Sequence, residues 1–195
     1  MGLLEERDYS VLVVSAAEKF NSVISELLSD SGYRRVTFES GINSAKRAYS
    51  DRTYDFVIIN SPLPDDVGTR FAIDVCSAGS TVALIVVRAD IFDDINEKVS
   101  KHGVYAISKP MSKPMVELAL KWMAASRERL RRTEKKTLSI EEKMEEIRLV
   151  NRAKWLLISE LKMDEPGAHR YIEKQAMDRC VTRREVAEEI IKTYS

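Results

Sequence analysis

Apolar and polar positions follow two rhythms along this chain, and one gives way to the other near residue 114. Before that point, short apolar runs recur: Val11-Leu-Val-Val14, Arg35 to Phe38, Phe56-Val-Ile-Ile59, Val82 to Val87 and Val104 to Ile107. Runs of this length bounded by turn residues predict buried strands, and the amphipathic stretches between them predict helices over 17–29, 42–50, 69–77 and 92–101. Strict alternation of strand and helix predicts an α/β, doubly wound, five-stranded parallel sheet with helices on both faces. Any working crevice then lies beyond the strand C-termini, next to the turn-rich loop Ser61-Pro-Leu-Pro-Asp-Asp-Val-Gly68 and Lys109-Pro110.

Beyond Pro114 the pattern is continuously helical. A heptad register runs through positions 116, 123, 130, 137 and 144 together with 119, 126, 133, 140 and 147. Val116, Met123, Leu130, Ile140, Met144 and Ile147, with Ala119, make seven of its ten places apolar, while Ser126, Thr133 and Thr137 weaken the centre. The register predicts a parallel coiled coil joining two copies of the chain, with those six residues as its seam. The competing reading is a single amphipathic helix folded back on its own front domain. The basic stretch Arg127-Glu-Arg-Leu-Arg-Arg-Thr-Glu-Lys-Lys136 is either a solvated face or a source of phosphate contacts and dimer register.

Ser139-Ile-Glu-Glu142 has the form of a capping box and predicts that a helix starts or restarts there. Ile147, Val150, Ala153, Leu157 and Leu161 follow at spacings of three and four. Asp164-Glu-Pro opens a second helix with buried face Ala168, Tyr171, Ile172, Gln175 and Ala176. Thr182-Arg-Arg-Glu185 caps a third, buried through Val186, Ala187, Ile190, Ile191 and Tyr194. Three short amphipathic helices have only one another to bury against, so the chain divides into a sheet domain over 1–113, a helical linker over 114–138 and a three-helix bundle over 139–195.

Length fits this division, since 195 residues hold one medium and one small domain. The net charge is zero, but residues 1–113 carry 13 basic and 16 acidic side chains against 18 and 15 for 114–195. The excess at the C-terminal end permits a nucleic-acid partner without demanding one. Cys76 and Cys180 fall in different domains and read as free thiols of a reducing compartment. Neither a spanning apolar run nor a signal peptide is present, so a cytoplasmic protein without a membrane partner is expected. His102 and His169, the only histidines, have no ligand at metal spacing. No nucleophile, base and oxyanion set can be assembled, so neither an enzyme nor a cofactor is expected.

Residues 8–125 resemble the receiver domain of two-component response regulators. The resemblance is carried by Tyr54-Asp-Phe-Val-Ile-Ile59, by Pro64 and Gly68, and by Lys109-Pro110. It implies phosphoryl transfer to an Asp after the third strand, with Mg2+ held by carboxylates near the first. The phosphoacceptor position is Asn60, the acidic pair is Ser15 and Ala16, and the Thr or Ser expected after the fourth strand is Val87; only Lys109 is retained. Asp65 and Asp66 are the remaining loop carboxylates, read either as metal ligands or as solvated acids in a turn. Lys109 is expected to brace the crevice against Asn60 or to keep a signalling role.

The end of the chain resembles the ANTAR family of RNA-binding antiterminators. Arg152-Ala-Lys-Trp-Leu156, Asp164-Glu-Pro-Gly-Ala168, Tyr171-Ile-Glu-Lys-Gln-Ala-Met-Asp178 and Glu185-Val-Ala-Glu-Glu-Ile190 carry this resemblance. Trp155 and His169 depart from the family's usual Gly and Phe or Tyr. The family's job implies contacts to hairpin RNA from Arg148, Arg152, Lys154, Arg170 and Lys174, from Arg179, Arg183 and Arg184, and stacking by His169. Lys154 stands at the motif Lys; Trp155 and Tyr171 read as core or interface. The implied mechanism is a dimer gripping paired hairpins in a nascent transcript, controlled by a sensory partner protein or a small ligand instead of phosphorylation. A DNA-binding response regulator and a protein-interaction adaptor without RNA binding are the competing readings.

Overall fold

The structure is a computed structural model and describes residues 8–29, 32–33 and 35–194; the start of the expected front domain and Ser195 lie outside the described residues. Five strands, β1 (Ser10–Val14), β2 (Arg35–Glu39), β3 (Phe56–Asn60), β4 (Val82–Arg88) and β5 (Tyr105–Lys109), form one sheet in the order β2-β1-β3-β4-β5. All pairings are parallel. Helices α1 (Glu18–Leu28), α2 (Ile42–Asp51), α3 (Thr69–Ser77) and α4 (Phe92–Ser100) are the crossovers. Every residue of β3 is buried, because its neighbours cover both edges and helices cover both faces. One face packs Leu12, Val57 and Ile85 with residues of α2, α3 and α4; the other packs Val13, Ile58 and Leu84 with residues of α1 and of the long helix that follows. Strand order reverses beside β1 and β3, which places the crevice at their C-terminal ends.

That long helix, α5 (Lys113–Leu161), is unbroken for 49 residues. Ser139 therefore does not start a helix, contrary to the capping-box reading. No Gly or Pro occurs between Met115 and Leu161, and the charged run at 127–136 consists largely of good helix formers, so the amides of the supposed box are already bonded within the helix. The described chain divides into two compact units between Arg131 and Arg132, inside α5 and short of the expected boundary at 138.

The heptad register splits accordingly. Val116 and Met123, expected on a dimer seam, are buried with Ala119 and Leu120 in the front unit's core, and Leu130 packs against the same cluster. The first part of α5 is thus the helix folded on its own sheet, since an apolar stripe beside an uncovered sheet face buries there first. Ile140, Met144 and Ile147 keep 57%, 50% and 59% of their surface exposed and have no such cover in the described chain.

In the second unit α5 meets α6 (Glu165–Asp178) and α7 (Arg183–Tyr194). Its core is Ala153 and Leu157 with Ala168, Ile172, Ala176, Val186, Ala187 and Ile190. Ala168, Ile172 and Ala176 form a narrow i, i+4, i+8 stripe on α6. Tyr171, expected on that face, is 38% exposed, and Tyr194 on α7 is also turned outward. Small alanines let the helices approach closely and leave no room for these rings. Trp155 is 72% exposed and stands outside the core. Both remaining caps form: Asp164 accepts from the Gly167 amide at 2.8 Å, and Thr182 and Glu185 exchange hydrogen bonds at 2.7 and 3.2 Å.

Candidate functional site

The crevice of the front unit has an amide and a hydroxyl at its centre. Asn60 ends β3 buried, and its Nδ2 donates to the Ser15 hydroxyl at 2.9 Å. That hydroxyl also accepts from the Ala17 amide at 3.1 Å, so the β1–α1 turn is tied to the end of β3. Asn60 Oδ1 and the Ser61 hydroxyl are buried without a hydrogen-bond partner among the described residues. Lys109 donates to the Ser61 carbonyl at 2.6 Å instead of to Asn60, and burial pulls its ammonium below the usual lysine range. Ala16 is exposed, and Val87 is fully buried in the core beneath the helices.

The two loop carboxylates are engaged in shaping the crevice wall. Asp65 accepts from the amides of Ile42 and Asn43, each at 2.9 Å, and these bonds hold its carboxyl below the ordinary range. It caps α2 from a distant loop in place of Gly41, where a Cβ would stand 2.9 Å from those same oxygens. Asp66 accepts from the Gly68 amide at 2.6 Å. Gly68 has φ +87°, and a Cβ there would meet Ile59 Cγ2 at 2.7 Å. Both acids stay exposed to solvent while making these bonds. Among the described residues no group of three His, Cys, Asp or Glu side chains converges on a metal position.

At the opposite end of the sheet lies a charge cluster that sequence reasoning missed. Asp55 accepts from the Ser10 amide and hydroxyl at 2.9 and 3.0 Å and from Arg127 and Arg131 at 2.8 and 2.9 Å. Arg131 also reaches Glu128, which accepts from the Tyr9 hydroxyl, and its guanidinium lies 5.5 Å from the Tyr9 ring centre. Burial pushes the Asp55 carboxyl up, but the Ser10 and Arg127 hydrogen bonds outweigh it and leave it below the usual value. Part of the basic run is thereby spent on fastening α5. Nothing local reveals this, because Asp55 and Arg127 are 72 residues apart.

In the second unit the candidate RNA contacts separate into groups. Arg179 is held by Glu189 through two bonds of 2.6 and 2.7 Å, and Arg184 by Glu188 at 2.9 Å. Arg148 lies 3.8 Å from Glu145, and Arg152, Arg170 and Lys174 are exposed without an ion pair among the described residues. Lys154, His169 and Arg183, from three different helices, are brought together on one cleft of about 420 Å³ with Lys143, Glu146, Ile147, Val150 and Asn151. Lys154 is the most buried of these cations, 17% exposed and 2.7 Å from Glu165; Arg183 lies 3.0 Å from Glu146. Lys143, Ile147, Val150, Asn151 and Lys154 share one helical face at three-and-four spacing, a signal available in the sequence. The approach of α7 to that face was not.

Residues 139–191 match the family model described as the ANTAR domain. Over 188 residues the chain is 29% identical to the transcriptional regulatory protein PdtaR of Mycobacterium tuberculosis, covering 94% of this chain and 89% of that protein. The fold of the front unit is similar to the signal receiver domain of an HD domain-containing protein from Pseudomonas fluorescens, with TM-score 0.58, 22% identity, and coverage of 68% of this chain and 97% of that one. It is also similar to a CheY-like receiver domain from Methylobacillus flagellatus, with TM-score 0.51, 20% identity and coverage of 60% and 98%. Among the described residues no helix is long and apolar enough to cross a membrane.

Proposed function

We propose that this chain, in which an ANTAR-domain match follows a receiver-like fold, is a transcription antitermination regulator of the response-regulator type that acts by binding looped RNA through its terminal helices. The observation that supports this reading best is the convergence of Lys154, His169 and Arg183 on one cleft, because loop recognition needs cations for phosphate beside a surface for a splayed base. Pairing of two copies through the exposed Ile140 and Met144, short of the cleft, presents two such surfaces to a two-stem leader and raises the effective concentration at the second loop.

In this reading the receiver fold works without phosphoryl transfer. An acyl phosphate needs a carboxylate oxygen as nucleophile, and Asn60 offers an uncharged amide already committed to Ser15. Ser15 and Ala16 supply no hard anionic oxygen for Mg2+. Control then falls to a sensory partner protein or small ligand acting on the front unit.

Retention of two-stem leader RNA by the purified chain tests the RNA-binding half. Binding should weaken with added salt and exceed that of duplex DNA at the same ionic strength; equal retention of the duplex would favour the DNA-binding alternative. Incubation with acetyl phosphate and Mg2+ followed by mass spectrometry tests the other half, and a phosphorylated product would refute it.

A further inference from the structure

We infer that the cavity at the start of β4 and β5, between the ends of α3 and α4 and the side of α5, binds a small organic carboxylate with an apolar body. The inference rests on the reading that a small ligand acts on the front unit, and it names that ligand's chemistry. The cavity holds about 490 Å³, and all its lining residues belong to the front unit. That size suits a small molecule. Two lining positions open onto free space: a Cβ built at Gly79 or at Gly103 meets no atom within 4 Å. Thr81, also in the lining, has its hydroxyl committed to the Tyr54 carbonyl at 2.7 Å and the Tyr49 hydroxyl at 2.9 Å. Asn96, Ser100 and His102, by contrast, make no side-chain hydrogen bond among the described residues. Asn96 and Ser100 stand one turn apart on α4, so both present polar groups from one side.

The end of α4 uses up its own backbone acceptors. The amides of His102 and Val104 both reach the Val99 carbonyl, at 3.0 and 3.3 Å, and the Gly103 amide reaches the Ser100 carbonyl at 3.0 Å. What is left for a ligand there is side-chain N–H and O–H, which calls for an acceptor. Arg129 and His102 are the basic side chains of the lining, and among the described residues no Asp or Glu joins them, so the acceptor is an anion. A guanidinium has five N–H donors in one plane and meets both oxygens of a carboxylate side by side, so Arg129 can serve a ligand beside its other contacts. Val82, Val104 and Leu130 offer apolar surface to the rest of the molecule. Burial pushes the Cys76 thiol up, so it adds a neutral wall. Tyr105 and Ser126, also in the lining, share a hydrogen bond of 2.7 Å that ties β5 to α5, so an occupant bears on the seating of that helix.

The test uses the full chain, uniformly labelled with nitrogen-15. It is titrated with benzoate, with benzamide, which keeps the ring and removes the charge, and with inorganic phosphate, which keeps a charge and removes the ring. Benzoate should shift the Gly79 and Gly103 amides and the Asn96 side-chain amide saturably, and bind roughly tenfold more tightly than benzamide, as one charge-assisted contact implies. Arg129→Gln should bring benzoate down to the level of benzamide. Gly79→Phe places a ring in free space at a φ outside the left-handed range, so it should abolish the benzoate response and leave the rest of the spectrum in place. Equal binding of benzamide, an equal response to phosphate, the absence of any saturable shift, an unchanged ratio in Arg129→Gln or full benzoate binding in Gly79→Phe would each overturn the inference. Leader RNA retention is measured on the same samples. Retention with an unresponsive cavity removes the carboxylate site and leaves the RNA-binding reading intact; benzoate binding without retention does the reverse.

Discussion

Between a carboxylic oxygen and an amide nitrogen lies most of the chemistry available at the end of β3. Asn60 spends its Nδ2 on Ser15, and the desolvated Lys109 turns to the Ser61 carbonyl. Restoring one group should not restore the reaction: Asn60→Asp incubated with acetyl phosphate and Mg2+ is expected to show no phosphoryl increment by mass spectrometry, because Ser15 and Ala16 still lack the oxygens that hold the metal. At the other end of the sheet, Asp55 serves as a fastener for two arginines. Asp55→Asn should destabilise the front unit by about 2 kcal/mol, read from its urea midpoint, since two charge-assisted hydrogen bonds are weakened and two guanidinium groups lose their counter-charge. The sign of the pH dependence follows from the depressed carboxyl. Its contribution is full above the unfolded value near about 3.9 and is lost as pH falls through the lower folded value. Acidification should therefore cost the native front unit more stability than it costs the Asp55→Asn variant.

The helix α5 is one element with three differently directed apolar stripes. Val116, Ala119, Leu120 and Met123 face the sheet, Ile140, Met144 and Ile147 face outward, and Ala153 and Leu157 face α6 and α7. Met123→Ala opens a cavity in a closed core and should cost about 2–5 kcal/mol in the front unit's unfolding. Met144→Ala, at a half-exposed position, should leave the stability of the single chain within about 0.5 kcal/mol. It should nevertheless lower self-association in sedimentation equilibrium, as the proposed pairing requires. On α7 the Thr182 and Glu185 exchange satisfies amides that the helix leaves unbonded, so Thr182→Ala should cost the second unit about 1 kcal/mol in thermal unfolding. Ser139-Ile-Glu-Glu142 has the same sequence form and no such role, because a capping box works only where the preceding turn has no helical carbonyls to offer.

For the whole molecule, the division inside α5 between Arg131 and Arg132 implies that the two units carry separate cores. Substitutions in one should then leave the other's unfolding transition in place. Asp55→Asn is expected to shift the front transition alone, followed by hydrogen exchange resolved along the chain. Separate cores are also what the proposed function requires, since there the front unit takes the signal and the terminal helices take the RNA.

By itself, the sequence determined the alternation of strands and helices, the parallel five-stranded sheet, the Asp164 and Thr182 caps and the residue types at the crevice, because each rests on local periodicity or on neighbours a few positions apart. The composition of the crevice, with Asn60, Ser15 and Ala16 where carboxylates were to be expected, was equally legible. Only the tertiary structure decided which stripe of α5 packs on the sheet, that Asp55 answers Arg127 and Arg131, that Asp65 caps α2, and that Arg183 reaches Glu146. The physical reason is that a heptad of apolar residues specifies a face to be covered without naming its cover. Charges likewise find their partners through the geometry of packed elements, whatever their separation along the chain.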